Sequence, residues 1–374
     1  MKHDFSSRSN CSMGARSENG VWVLRRSEHG CKLSDLDMYN LLCCGSNGSG
    51  QLGIGTRDDV DVLEKALFEV ETGRSENIGT RPIKIACGGN HTVVLMENGD
   101  VYGAGDNSSN QCGLEEEREY LFFTKIKVEN CKFVSCGWEF TVFVTQNDDI
   151  YTCGRGNKGE LGRGSTGVSS ITKIANITGI IDLQSSLTHT VIRTSNNELY
   201  GWGTCRRGEL GVVEGAKFLC EPSKLDFPTK NWKYYALGRN RTIFCHEKIT
   251  MNLDKEDLFS ETGNSLANSV VSLRAMWTSV HVSTGDRIVS TGNNSHGQLC
   301  PQQIPFTAME TGSEHGLLVT KNNRVLAWGW GEHGNCGHTD DDSVVYNMNC
   351  IYEGQPLMVA GGCATSWVVA KKKE

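Results

Sequence analysis

Proline is scarce in this chain of 374 residues, with 6 prolines against 43 glycines. That balance excludes a Pro-rich linker and describes a chain that turns tightly and often. No apolar run approaches the roughly 20 residues that a membrane-spanning helix needs. The opening Met1-Lys2-His3-Asp4-Phe5 lacks the apolar stretch of a secretory signal. An intracellular protein is therefore expected, cytoplasmic with access to the nucleus. An excess of positive charge is missing too: 37 Lys and Arg face 44 Asp and Glu, a formal charge of −7. Direct nucleic-acid binding is not expected, because phosphate recognition needs a Lys/Arg excess. Sixteen cysteines are present, yet no Cys-x-x-Cys pair occurs, so the strongest zinc signature is absent. Cys87 and Cys136 sit in apolar runs at matching points of a repeat, where Cys serves as a small hydrophobe.

That repeat organises the sequence. Thr92, Thr141 and Thr190 are spaced 49 residues apart. Six residues beyond each stands a turn pair, Asn98-Gly99, Asn147-Asp148 and Asn196-Asn197. Such pairs tolerate the positive φ of a tight hairpin turn, so each closes two strands. Tyr102, Tyr151 and Tyr200 follow at ten residues past the Thr, and Gly105, Gly154 and Gly203 at thirteen. The phase continues through Thr242, Val280, Gly316 and Ser366, although the unit after Thr242 degenerates. The segment from Lys248 to Ser269 reads as a polar loop with a short helix. Ser366-Trp367-Val368-Val369 opens a unit that the C-terminus cuts short, and Leu41 to Gly53 has the register of its missing half.

Strands on a period of 40–50 residues predict an all-β fold, a seven-bladed β-propeller closed by one split blade. Val359–Val369 should pair with Leu41–Gly45, leaving the ring without an open seam. Runs such as Val93-Val94-Leu95 and Val142-Phe143-Val144 fit inner strands buried on both faces. Residues 38–370 form this propeller; residues 1–37 read as a disordered extension and 371–374 as a basic tail.

Gly45-Ser46-Asn47-Gly48-Ser49-Gly50-Gln51-Leu52-Gly53 resembles the repeat of the regulator of chromosome condensation family, whose propellers have seven blades and a split closing blade. A narrower resemblance, to a small stand-alone fungal branch of that family, lies in three stretches: Met276–His281, Thr311–Gly316 joined to Trp328–Gly337, and Gly361–Trp367. This likeness implies a non-enzymatic partner of a small zinc- or iron-binding protein with a CSL-type finger. Such a heterodimer supports diphthamide formation on elongation factor two and, with Elongator as a further partner, wobble-uridine modification of tRNA. The family's chromatin-bound namesake activates a small GTPase, so guanine-nucleotide exchange is the alternative.

Three Gly-x-Gly-x-x-Gly matches, at Gly48, Gly154 and Gly329, lead into another strand rather than a helix, so no dinucleotide cofactor is expected. His333, Cys336 and His338 lie close in sequence, but three ligands on so short a turn rarely complete a tetrahedral site. No catalytic residue or metal site is assigned. Aromatic residues beside glycine turns carry more information. Trp330, after Gly329, replaces the Ser46 of the first unit and should point to solvent or a partner. Trp138 and Trp277 occupy strand entries, either as anchors or as wedges between blades. Equal repeat phase places residues on one propeller face, so Trp277, His281, Glu314, His315, Trp330, Glu332 and His333 are expected to form one partner-binding patch.

Overall fold

The computed structural model describes residues 39–372, apart from 78, 212–214, 228–231, 253–255, 261–265 and 340–342. The expected extension 1–37 lies outside the described residues. The described chain is almost wholly β, arranged as seven antiparallel blades. Blade 1 is built on strands Pro82–Cys87, His91–Met96, Val101–Asp106 and Glu119–Lys125. Blades 2 and 3 repeat that order over 131–176 and 180–224, and blade 6 over 306–353. Blades 4 and 5 show three strands each among the described residues.

Blade 7 is the split one. Pro356–Gly361 and Thr365–Lys371 join Tyr39–Gly45 and Val60–Lys65 in one sheet. Leu41 pairs with Val369 and Gly45 with Thr365, the register expected from the sequence. Lys371 is not the start of a tail: it ends the strand and pairs with Tyr39. A backbone ladder needs no apolar side chain at its solvent end, so the basic residue does not stop it.

The turn pairs close hairpins as their composition requires. Gly99, Asp148, Asn197 and Asn323 all have φ between 60° and 87°, the left-handed region that Gly, Asn and Asp tolerate. The continuous apolar runs belong to the second strand of each blade. His91–Met96, Phe140–Thr145 and His315–Thr320 are buried throughout, while the first strand lines the channel and is partly open. The stretch expected as a loop after Lys248 contains Ile249–Met251, the third strand of blade 4, together with a short 3-10 helix, Leu266–Ser269. Ile249 and Thr250 bury against their neighbours despite the polar surroundings, so pairing overrides local composition.

The apolar core is divided into seven clusters, each lying between two adjacent blades. Leu41, Cys43, Trp367 and Val369 of the split blade pack with Val94, Met96 and Phe123 of blade 1. Each sheet therefore buries both faces, and the hydrophobic stabilisation is spread around the ring. Cysteines fill several of these interfaces, Cys112, Cys136 and Cys153 in one and Cys336 in another. All cysteines of the described residues are free thiols. Burial pushes the Cys44 thiol up to about 12, so it stays protonated and unreactive.

Candidate partner-binding face

In every blade the turn between the first and second strands opens on one end of the central channel. The lining there includes Gly88, Gly137, Ser186, Leu237, Ala275, Gly312 and Gly362, one residue group per blade. Backbone hydrogen bonds link these turns from blade to blade. Gly89 N donates to Trp138 O at 2.9 Å, Trp138 N to Leu187 O at 3.0 Å, Trp277 N to Ser313 O at 2.8 Å, and Ser313 N to Gly362 O at 2.9 Å. The third strand ends at the same face, so its following loop rises beside the channel mouth.

The predicted site residues divide by depth. Trp277 stands in the first turn of blade 5 and is partly exposed. Thr278 Oγ1 donates to Glu314 Oε2 of blade 6 at 2.7 Å, and Trp330 N donates to Glu314 O at 3.0 Å. Trp277, Glu314 and Trp330 thus lie along one hydrogen-bonded path across two blades. Burial raises the Glu314 carboxyl above its ordinary range, opposed by the hydroxyl of Thr278. Trp330 is 37% exposed and stacks on His296, ring centroids 4.3 Å apart at 17°. Glu332 and His333 are exposed on the loop beyond. His333 is tied outward, with Nδ1 2.7 Å from Asp59 of the closing blade.

His281 and His315, expected on the patch, are instead interior, 0% and 1% exposed. Phase gives the face of the propeller but not the depth. Gly329 sits directly over His315, its φ of 107° set where an added Cβ would lie 2.6 Å from Glu314 O and 2.8 Å from His315 Cα. His315 Nε2 lies 3.0 Å from Ser366 Oγ, whose own proton goes to Asn335 O at 2.6 Å. The imidazole is therefore the donor, and it fastens blade 6 to blade 7. His91 does the same for blades 1 and 2 through Thr141. His281 spans Ser279 and Ser290 within blade 5.

The tempting trio of the blade 6 loop does not converge. Cys336 is buried, while His333 and His338 turn to Asp59 and Asp61 respectively. Among the described residues, no three His, Cys, Asp or Glu side chains gather around a point.

Trp328 is a wedge between blades 5 and 6: it is wholly buried, and its Nε1 donates to Gln298 O at 3.0 Å. Trp138 and Trp277 have a different role. They belong to blades 2 and 5, which are not neighbours, yet their rings meet across the channel mouth with centroids 5.9 Å apart. Trp138 is 41% exposed, and the Arg239 guanidinium lies 5.7 Å from the Trp277 ring. Sequence reasoning missed Arg239 and its neighbours Arg207 and Arg241. One signal was available: Arg241 precedes Thr242 where three other units place His91, His189 and His315.

Fold and face together define a seven-bladed propeller that presents a ring of linked turns, two paired indoles and flanking loops at one channel mouth. Two family models of the regulator of chromosome condensation (RCC1) repeat match the chain, one at residues 83–111, 131–160 and 306–335, the other at 40–95. An RCC1 repeat-containing protein of Schizosaccharomyces pombe is 31% identical over 369 residues, covering 89% of this chain and 99% of that protein. The chain belongs to the RCC1 repeat family. Among solved structures, Prp20p of Saccharomyces cerevisiae superposes with a TM-score of 0.75 at 17% identity, covering 91% of this chain and 93% of that one. Human WBSCR16 gives 0.73 at 17% identity, covering 90% and 100%. At that identity the two structures bear on the fold alone. Among the described residues no helix is long and apolar enough to cross a membrane.

Proposed function

We propose that this propeller is a non-enzymatic interaction subunit whose channel-mouth face binds a small CSL-type zinc- or iron-binding protein. The heterodimer serves diphthamide synthesis on elongation factor two and Elongator-dependent modification of tRNA wobble uridines, in the cytoplasm and the nucleus. The partner and pathway rest on the three stretches that resemble the fungal alpha-tubulin suppressor protein. The observation that carries the location is the continuous path Trp277–Glu314–Trp330, with a half-open indole at its outer end. Large rigid aromatic side chains of this kind dominate binding hot spots.

Calorimetric titration with the purified finger protein tests the reading. Trp330→Ala and Trp277→Ala should each weaken binding by about 2 kcal/mol or more, the scale of a hot spot. His333→Ala should cost less, since that ring already engages Asp59. Two folded Trp variants that bind as tightly as wild type would move the interface elsewhere. The alternative, nucleotide exchange on a small GTPase, draws support from the fold shared with Prp20p, a protein described with binding to Gsp1p and histones. Accelerated nucleotide release from a candidate GTPase would favour it.

A further inference from the structure

We infer that the channel mouth beside blades 2 to 5 receives a carboxylate-bearing peptide segment of another protein. Two cavities, of about 360 and 660 Å³, adjoin there and share Trp277 and Arg239. Among the described residues, their walls carry five cations, Arg155, Lys158, Arg207, Arg239 and Arg241, against two carboxylates, Glu139 and Glu160. That local excess stands out on a chain of net charge −7. The two charge signs are also separated. Both carboxylates belong to the smaller cavity, where Glu139 lies 3.3 Å from Arg155. Among the described residues, the larger cavity is lined by Arg207, Arg239 and Arg241 and by no acidic side chain. The buried Glu314 carboxyl, bonded to the lining Thr278, acts on Arg239 and Arg241 electrostatically.

Among the described residues, none of these three guanidiniums has an ion pair. Arg241 is half-buried, and desolvation draws its pKa down. It occupies the strand position that His91, His189 and His315 fill in other blades. A guanidinium is longer than an imidazole, so its charge reaches the mouth instead of the neighbouring blade. Charged groups held this way are poised for a carboxylate, which a planar guanidinium meets with two parallel hydrogen bonds. Asn240 shares the cavity wall and offers its side-chain amide to a peptide backbone. The Asn252 amide holds the wall itself, accepting from Thr242 N at 2.7 Å and donating to Arg207 O at 2.9 Å. The Trp138–Trp277 pair gives an apolar shelf for side-chain stems.

A nucleic-acid strand is the less suitable occupant. Its evenly spaced phosphates would meet Glu139 and Glu160 as well as the arginines, and the overall negative charge would oppose its approach. Discrete carboxylates along a peptide can avoid those two groups.

Fluorescence anisotropy with fluorescein-labelled octaglutamate and the full-length chain tests the assignment. Wild type should bind the probe saturably and ignore octaglutamine. Arg207→Glu combined with Arg239→Glu, both exposed positions, should weaken binding by at least about tenfold, the scale of one lost charge-assisted contact. If that double variant fails to fold, Arg239→Gln alone should weaken binding several-fold. Amidating the probe's C-terminus separates two sources of the same group: loss of binding assigns a terminal carboxylate, and unchanged binding assigns Glu or Asp side chains. Absence of saturable binding by wild type, or equal binding by the folded variants, overturns the proposal. Tighter binding of octathymidylate than of octaglutamate also overturns it, in favour of a nucleic acid. The metal-finger reading stands or falls separately at Trp330, which lines neither cavity, whereas Trp277 is common to both sites.

Discussion

Trp328 and Trp330 lie two residues apart on the strand Arg324–Trp330, and alternation along the strand does not separate them. What separates them is Gly329, whose positive φ turns the chain out of the blade. Trp328 stays sealed with blade 5 residues, while Trp330 emerges onto His296. Trp328→Ala should therefore destabilise the protein by about 3–5 kcal/mol, the range for emptying a large aromatic site. Trp330→Ala should cost under about 1 kcal/mol, since exposed substitutions lose little packing. Denaturant unfolding of the two variants side by side checks the contrast. Similar losses for both would mean that Trp330 is a structural residue and no partner anchor. Gly329→Ala belongs to the same argument. A methyl group there meets backbone oxygen at 2.6 Å, and the strained conformation adds about 1–3 kcal/mol, so its loss should exceed that of Trp330→Ala.

At the scale of elements, closure depends on the strand Thr365–Lys371. It is the second strand of blade 7, buried over six of seven residues, and it bridges Pro356–Gly361 to Tyr39–Gly45. Deleting residues 360–374 removes Trp367 and exposes two sheet edges at once. The truncated chain should be insoluble or lack a cooperative melting transition by circular dichroism. A soluble product that melts cooperatively would contradict closure by the split blade. This much was legible in the sequence, because period, turn pairs and apolar second strands are local signals. The third strand of blade 4, Ile249–Met251, was not. Its three residues are too short for a recognisable alternation, and only pairing with Arg241–Cys245 defines them. Site depth was equally hidden. His315 has the phase of a surface residue, but the glycine above it and the next blade beside it enclose the ring.

Across the whole molecule, the meeting of Trp138 with Trp277 could not be read from the repeat, because phase fixes a residue's height and angular sector but not the width of the channel. A second whole-ring property follows from burial. His91, His189, His281 and His315 lie in blades 1, 3, 5 and 6 and are all interior. Desolvation lowers His91, His189 and His315 to about 4 and His281 to about 3, below the ordinary 6.5 of an unfolded chain. Above pH 6.5 both states keep these imidazoles neutral, so stability is independent of their titration. Below it the unfolded chain takes up protons that the folded ring refuses, so stability falls as pH falls, until the folded imidazoles protonate near pH 4 to 3. Each group contributes a slope of about 1.4 kcal/mol per pH unit across that window. By pH 5 the four together would remove several kcal/mol, comparable with the whole stability of many domains. Calorimetric melting should therefore be flat between pH 8 and 7 and drop steeply from 6 to 4.5. Replacing His315 with Gln keeps a donor toward Ser366 while removing one titrating group, so the variant should lose stability less steeply in that interval. Equal slopes for wild type and variant would show that the buried imidazoles do not govern acid unfolding.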